Sequence, residues 1–343
     1  MRKTPRKKWY IKLLTALCII LATVLLLGLI ALMIIDNWLD KIPRATDPSA
    51  TISSSELLAL EQETDPVDEN FTGIEMDPLE ITWGTVPTKF VGTEENIINI
   101  LLIGQDRREG QGRQRSDSMI LCTLNIDRKT LTMTSFLRDL YVQIPGYNPN
   151  RLNVPYAISG MKLLNKTLEV NFGIHVDGNV EVDFSGFKRI IDLIGGVDIS
   201  LTQAEIGRME KIGKIHGLVE GVNHLDGKAA LFYSRIRMID SDFARTNRQR
   251  NVLTAVLNKC KTMPYSQLLN IVEECIGYVT TDMSNLEIMQ YAVSLIPMLS
   301  NVQIQTQRIP ADGTYRNAII SGMYVLVPDL EANRKILIET LTE

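Results

Sequence analysis

The hydrophobic pattern changes character twice along the 343 residues. Leu13 to Ile35 is apolar without a single charge, residues 41–70 are polar and acidic, and from Asn96 short apolar runs alternate with stretches of helical period. Ile97–Ile103 is rich in β-branched residues and closed by Gly104, which predicts a buried strand. Met119–Ile126 and Leu131–Phe136 predict two more, joined into a hairpin by Asp127-Arg128-Lys129. In Tyr156–Asn171 the positions of Ile158, Met161, Leu164 and Leu168 predict a helix, stopped at Gly173. Gly178–Asp183 reads as a strand, Phe184–Ile194 as a helix ended by Gly195-Gly196, and Val197–Leu201 as the next strand. Gly227–Arg237, Asn247–Cys260 and Tyr265–Cys275 read as helices. Ser284 and Glu287 make the capping box of a helix over Leu286–Leu299, and Val302–Ile309 is a late strand. Strands interleaved with helices predict an α/β domain with helices on both faces of a central sheet, and the hairpin makes that sheet mixed.

At ~1.5 Å per residue the apolar run would extend about 34 Å, enough for a bilayer core of ~30 Å. It is too long for the apolar region of a cleaved signal peptide and has no small-x-small site to close it. Six basic residues and no acid precede it within residues 1–12, and Trp9, Tyr10 and Trp38 stand where interfacial aromatics belong. The expectation is a single-pass anchor over 13–35 in a cell membrane. The N-terminal tail 1–12 would be cytoplasmic and everything after residue 40 extracytoplasmic. Residues 36–94 then read as an acidic stalk, 95–315 as the catalytic domain and 316–343 as a C-terminal extension.

Charge sharpens this division. Residues 41–95 carry twelve acids against three bases, whereas 96–343 carry 26 against 27 and are nearly neutral. A body without a basic excess argues against nucleic acid as a partner. Cys260 and Cys275 could pair in an oxidising compartment or remain buried thiols. The lack of a Cys-x-x-Cys and the presence of just three histidines, His175, His216 and His224, argue against a Cys/His zinc site.

Candidate chemistry gathers at the ends of the predicted elements. Gly104-Gln105-Asp106-Arg107-Arg108 follows the first strand, Arg113 to Ser118 precedes the second, and Leu137-Arg138-Asp139 follows the third. A late group holds Arg235, Arg237, Asp240, Asp242, Arg245, Arg248 and Gln249. Of 17 arginines in 96–343, eleven lie in or beside these groups, Arg151 and Arg250 among them. Arginine's planar fork grips phosphate bidentately, which lysine cannot do. Arg235 and Arg237 share one face of an extended segment, and Arg245, Arg248 and Gln249 share one face of a helix. Asp106 and Asp117 could hold Mg²⁺, or Mn²⁺, against a diphosphate. Each residue alone also has a plain reading: a strand-end Asp caps a turn, Asp139 orients Arg138, and the histidines are structural.

The ordered set is more telling than any member. Asn99 to Asp106, Arg115-Ser116-Asp117, Ser135 to Asp139, Ile144-Pro145-Gly146, Val182 to Phe184, Gly195 to Asp198, His224 to Arg237, and Asp242 to Gln249 together resemble the LytR-CpsA-Psr family. Leu137 stands where proline is common and Ala244 where glycine is common. The resemblance implies a three-layer α/β/α sandwich with a hydrophobic polyprenyl-binding tunnel. It implies a Mg²⁺-dependent transferase that moves a phosphoglycan, such as teichoic acid or capsule, from a polyprenyl pyrophosphate carrier to a peptidoglycan hydroxyl. Carried over, Asp106 and Asp117 are the acidic and metal-binding residues, with Asp106 and Arg138 catalytic. Arg108, Arg115, Arg138, Arg235, Arg237, Arg245 and Gln249 bind the pyrophosphate. A lipid- or glycopolymer-binding regulator and a polyprenyl pyrophosphate hydrolase remain as alternatives.

Overall fold

The computed structural model describes residues 32–45, 72–88, 90–105, 115–237 and 242–342. Two compact units divide the chain, residues 1–42 and 43–343. In the first, residues 32–39 are helical. Most of the expected anchor and stalk, 13–31 and 46–71, lie outside the described residues. Among the described residues no helix is long and apolar enough to cross a membrane.

In the second unit β1 (Ile74–Glu75) is followed by β2 (Ile97–Gln105), β3 (Ser116–Asn125), β4 (Thr130–Phe136), β5 (Tyr141–Val142) and β6 (Asn150–Arg151). Next come α1 (Val154–Phe172), β7 (Gly178–Asp183), α2 (Phe184–Leu193), β8 (Val197–Leu201), α3 (Gln203–Lys211), β9 (Gly221–Leu225) and α4 (Gly227–Ser234). The chain continues as α5 (Asp242–Thr262), α6 (Tyr265–Cys275), β10 (Thr280–Thr281), α7 (Asn285–Leu295), β11 (Gln303–Ile309), β12 (Tyr315–Ile320), β13 (Met323–Pro328) and α8 (Leu330–Thr342). The predicted strands and long helices are present, most with boundaries shifted by a few residues. The predicted capping box forms, with Ser284 and Glu287 bonding each other's backbone. Sequence periodicity did not announce α3, the β12–β13 hairpin or α8.

The central sheet has six strands in the order β10-β7-β2-β3-β4-β11. β2 runs parallel to β7, β4 runs parallel to β11, and β3 lies antiparallel between β2 and β4. The sheet is therefore mixed, as expected from the hairpin. It also follows that β2, β4, β7 and β11 all end on the same edge, at Gln105, Phe136, Asp183 and Ile309.

Alternation along the strands feeds two different interiors. Leu101, Ile103, Met119, Leu121 and Phe136 project to one face and pack with Leu164 and Leu168 of α1 and Leu337 and Leu341 of α8. These side chains are essentially inaccessible, each worth about 1.5–3 kcal/mol of burial. Residues 330–342, set apart in the sequence as an extension, thus contribute to the main core. The other face carries Ile98, Leu124 and Leu131, against which Leu257 of α5, Tyr291 and Leu295 of α7, and Met298 pack. There Ile100, Leu102, Cys122 and Val182 stay half-buried, and neither α6 nor α7 has a single buried residue. A third core, around α2, α3, α4, β8 and β9, includes Ile199, Met209, Ala230, Tyr233 and Val252.

Candidate active site

Four polypeptide segments deliver charge to the shared strand edge. At the start of β3 the ladder slips: Gly104 faces Ser118 but Gln105 faces Ser116, so Asp117 is the extra residue of a bulge. Bulges redirect side chains, and here the bulge leaves Asp117 partly exposed. Space beside Gly104 is tight, since a Cβ on it would stand 3.0 Å from the Ser118 Cβ and Ser118 would have to give by a few tenths of an ångström. Past the end of β4, Leu137 donates to the Ile309 carbonyl at 2.9 Å and is itself buried, which anchors the turn that presents Arg138.

Arg138 is 7% exposed and donates from Nη1 to Asp117 Oδ1 at 3.0 Å. Its Nε lies 3.6 Å from Asp139, whose other oxygen lies 3.9 Å from Arg151 Nη1. Asp139 therefore does what its plain reading said, holding Arg138 in place. Arg151, counted beside the clusters in the sequence but given no role there, takes part: nothing in an isolated Asn150-Arg151 step shows that the β5–β6 pairing carries it back beside Asp139.

The first turns of α5 complete the group. Arg245 is 3% exposed and pairs with Asp242 at 2.9 Å. Its pKa falls below the ordinary arginine value, first because burial penalises the charge and then because Arg138 and Arg237 are nearby, while Asp242 and Asp117 oppose the fall. One turn on, Gln249 accepts from the Ser118 hydroxyl at 3.1 Å. Arg235 and Arg237 are exposed on either side of buried Ile236, and the Arg235 guanidinium sits 4.1 Å from the centre of the Phe184 ring, next to the last residue of β7. Arg115, half-buried, immediately precedes β3.

Asp117, Arg138, Arg237 and Arg245 are thus brought together, with Gln249, Arg235 and Arg115 on the same edge. Asp106 and Arg108 lie outside the described residues, in 106–114 directly after β2. One expectation is corrected: Arg248 does not share a face with Arg245 and Gln249. It donates from Nε to buried Glu205 at 2.7 Å and from Nη1 to the Ile236 carbonyl at 3.2 Å. A buried guanidinium goes to the buried carboxylate that neutralises it, and here that carboxylate is on α3.

The remaining candidates are structural. His224 pairs with Asp198 at 2.7 Å on the surface, and His175 lies 3.8 Å from Asp177. Cys122, Cys260 and Cys275 are free thiols. A cleft of about 520 Å³ at the opposite end of the sheet is lined by Glu94, Glu95 and Asp177 and is the wrong charge for a phosphate. Among the described residues no three His, Cys, Asp or Glu side chains are grouped to cage a metal.

The LytR_cpsA_psr family model matches residues 61–339. The chain belongs to the LytR-CpsA-Psr family. It is 32% identical to regulatory protein MsrR of Staphylococcus aureus, over 64% of this chain and 66% of that protein. It is also 32% identical to the polyisoprenyl-teichoic acid–peptidoglycan teichoic acid transferase TagT of Bacillus subtilis, over 60% of this chain and 65% of that one. The chain thus spans slightly less than two thirds of each of these relatives. Among solved structures it resembles a LytR-CPS2A-psr family protein, YwtF (TagT), with bound octaprenyl pyrophosphate lipid. That likeness has a TM-score of 0.57 and 26% identity, and covers 76% of this chain and 98% of the other. Of the motifs that suggested the family in the sequence, those holding Asp117, Arg138, Arg235, Arg237, Arg245 and Gln249 build its charged edge.

Proposed function

We propose that this LytR-CpsA-Psr protein transfers a phosphoglycan from a polyprenyl pyrophosphate carrier to a hydroxyl of peptidoglycan. The observation that carries the reading is the convergence of Arg138, Arg237 and Arg245 around Asp117 at the carboxyl edge of the sheet. Ligands in α/β sheets bind outside the carboxyl ends of strands, and guanidinium groups from separate elements suit a diphosphate. A similar protein holds octaprenyl pyrophosphate, and another is named a teichoic acid transferase. The half-buried apolar side chains Ile100, Leu102 and Val182 begin just behind that edge and would line a tunnel for the polyprenyl chain.

In this mechanism the arginines hold both phosphates and offset the charge that grows on the departing lipid phosphate. The acceptor hydroxyl attacks the phosphorus that bears the glycan. A new phosphorus–oxygen bond forms, the bond to the bridging oxygen breaks, and the lipid leaves as its monophosphate. Asp106, the first residue after β2, accepts the hydroxyl proton. Arg138 is fixed from two sides by Asp117 and Asp139, so little reorganisation is needed as charge develops. Asp117 offers a partly exposed carboxylate, and with Asp106 it would hold Mg²⁺ or Mn²⁺, which takes one or two carboxylates and keeps positions for phosphate. That ion would add positive charge against the diphosphate. The uncharged run 13–35 would anchor the chain in the membrane that carries its lipid substrate, with the domain outside the cell.

The test uses the full chain in detergent with a polyprenyl pyrophosphate glycan, Mg²⁺ and peptidoglycan. Lipid monophosphate should appear in step with glycan on the wall polymer, and Arg138→Gln should slow both by about 10²–10³-fold. Tight lipid binding with no turnover would replace this reading by the non-catalytic one that a regulatory name suggests. Release of lipid monophosphate without an acceptor would make the protein a hydrolase.

A further inference from the structure

The beginning of α5 turns different side chains to three sides. Arg245 and Gln249 face the Asp117 edge, Arg248 faces Glu205, and Phe243, Asn247 and Arg250 face the end of β11. On this third side Arg250 is 6% exposed. Its Nη2 donates to Asn247 at 3.3 Å, but Nε and Nη1 are buried without a hydrogen-bond partner. Arg308 lies with its guanidinium 4.4 Å from the Phe243 ring centre. Its Nη2 pairs with Asp312, whose carboxylate is almost wholly exposed, while Nη1 is buried and unpartnered. Ser135 is the register partner of Arg308 across the β4–β11 ladder, and its buried hydroxyl also lacks a partner.

Buried charges are ordinarily paired, because an uncompensated one costs several kcal/mol. Arg250 has a second guanidinium as its neighbour instead of a carboxylate, and burial followed by the charge of Arg308 lowers its pKa to about 10. The charges acting on Arg245 are those of Asp242, Arg138, Arg237 and Asp117, whereas the one acting on Arg250 is that of Arg308. An exposed, water-screened Asp312 is a weak competitor for Arg308.

We propose that Arg250, Arg308 and Ser135 form a second oxyanion subsite at the carboxyl ends of β4 and β11, separate from the group around Arg138. Its ligand is a phosphate group or a carboxylate, received by buried guanidinium nitrogens and one hydroxyl. The assignment rests on the unpartnered atoms and not on the transfer reaction, so it can fail or hold independently of that reading.

The experiment follows thermal unfolding of the full chain in detergent at constant ionic strength, in an Arg138→Gln background that weakens the first group. Inorganic phosphate should raise the midpoint, since an anion that binds only the folded state stabilises it. Arg308→Gln should shift that dependence to at least about tenfold higher phosphate. Arg250→Met should raise the midpoint in oxyanion-free buffer and abolish the phosphate response, because it removes an uncompensated charge. Dimethyl phosphate and acetate, titrated in turn, distinguish a phosphodiester source from a carboxylate one. Absence of any phosphate response in the parent would overturn the proposal. So would a response that neither Arg308→Gln nor Arg250→Met alters. If Arg250→Met does not fold, the Arg308→Gln comparison decides.

Discussion

The two faces of the central sheet are made from the same strands and packed to different standards. On one, Leu101, Ile103, Met119 and Leu121 are at most 1% exposed beneath α1 and α8. On the other, Ile100, Leu102 and Cys122, alternating with them along β2 and β3, remain half-buried under α5 and α7. Composition does not explain the difference, since leucine and isoleucine occupy both. The covering helix α7 does: it buries no residue, and its Leu286 and Val293 are more than half exposed. One face is closed throughout, and the other leaves part of the apolar surface of Ile100, Leu102 and Cys122 uncovered.

The largest expected effect is on the closed face. Leu121→Ala should cost about 2–5 kcal/mol in chemical denaturation, whereas Leu102→Ala on the open face should cost under about 1.5 kcal/mol. Equal losses would erase the distinction. Leu102→Trp is the complementary change: it should weaken octaprenyl pyrophosphate binding at least about tenfold, or ~1.4 kcal/mol, with little loss of stability. Next in size is the capping box of α7. Ser284→Ala should cost about 1 kcal/mol and speed hydrogen exchange at the first amides of α7, leaving α1 and α8 unchanged. Smallest is a pH effect beside Asn99. Asp177 accepts from the Asn99 amide at 2.7 Å, and burial raises its pKa above the ordinary 3.8. A carboxyl whose folded pKa is raised contributes stability below its unfolded pKa and loses it as pH rises through the folded one. Asp177→Asn should therefore stabilise the protein by less than about 1 kcal/mol at pH 7, with the advantage gone below the ordinary value. A stabilisation that grew on acidification would have the wrong sign.

The pattern of the chain disclosed what depends on local order. β7, β8 and α6 have the predicted ends, because glycine or a polar turn marks each one. The β12–β13 hairpin and α8 went unseen because their apolar residues acquire meaning only in tertiary contact, Leu337 and Leu341 against α1 and β3, and Ala318, Ile320 and Val325 against Ile81 and Tyr141. In the site, residue type and order singled out Arg138, Arg245 and Asp117. They could not reveal that Asp117 sits on a bulge, that Arg151 returns beside Asp139, or that Arg248 turns to Glu205. Each of those is a consequence of long-range pairing, and a spacing argument along one helix treats Arg245 and Arg248 as equivalent.

In the proposed complex a diphosphate is gripped at the arginine edge and its lipid chain lies along the open face. Octaprenyl pyrophosphate carrying a photoreactive diazirine on its distal isoprene tests both halves at once. Labelling should fall on the segments holding Ile100, Leu102 and Cys122 or on α5 and α7, and should be lost in Arg138→Gln. Labels on α1 or α8, or labels unchanged by loss of Arg138, would contradict it.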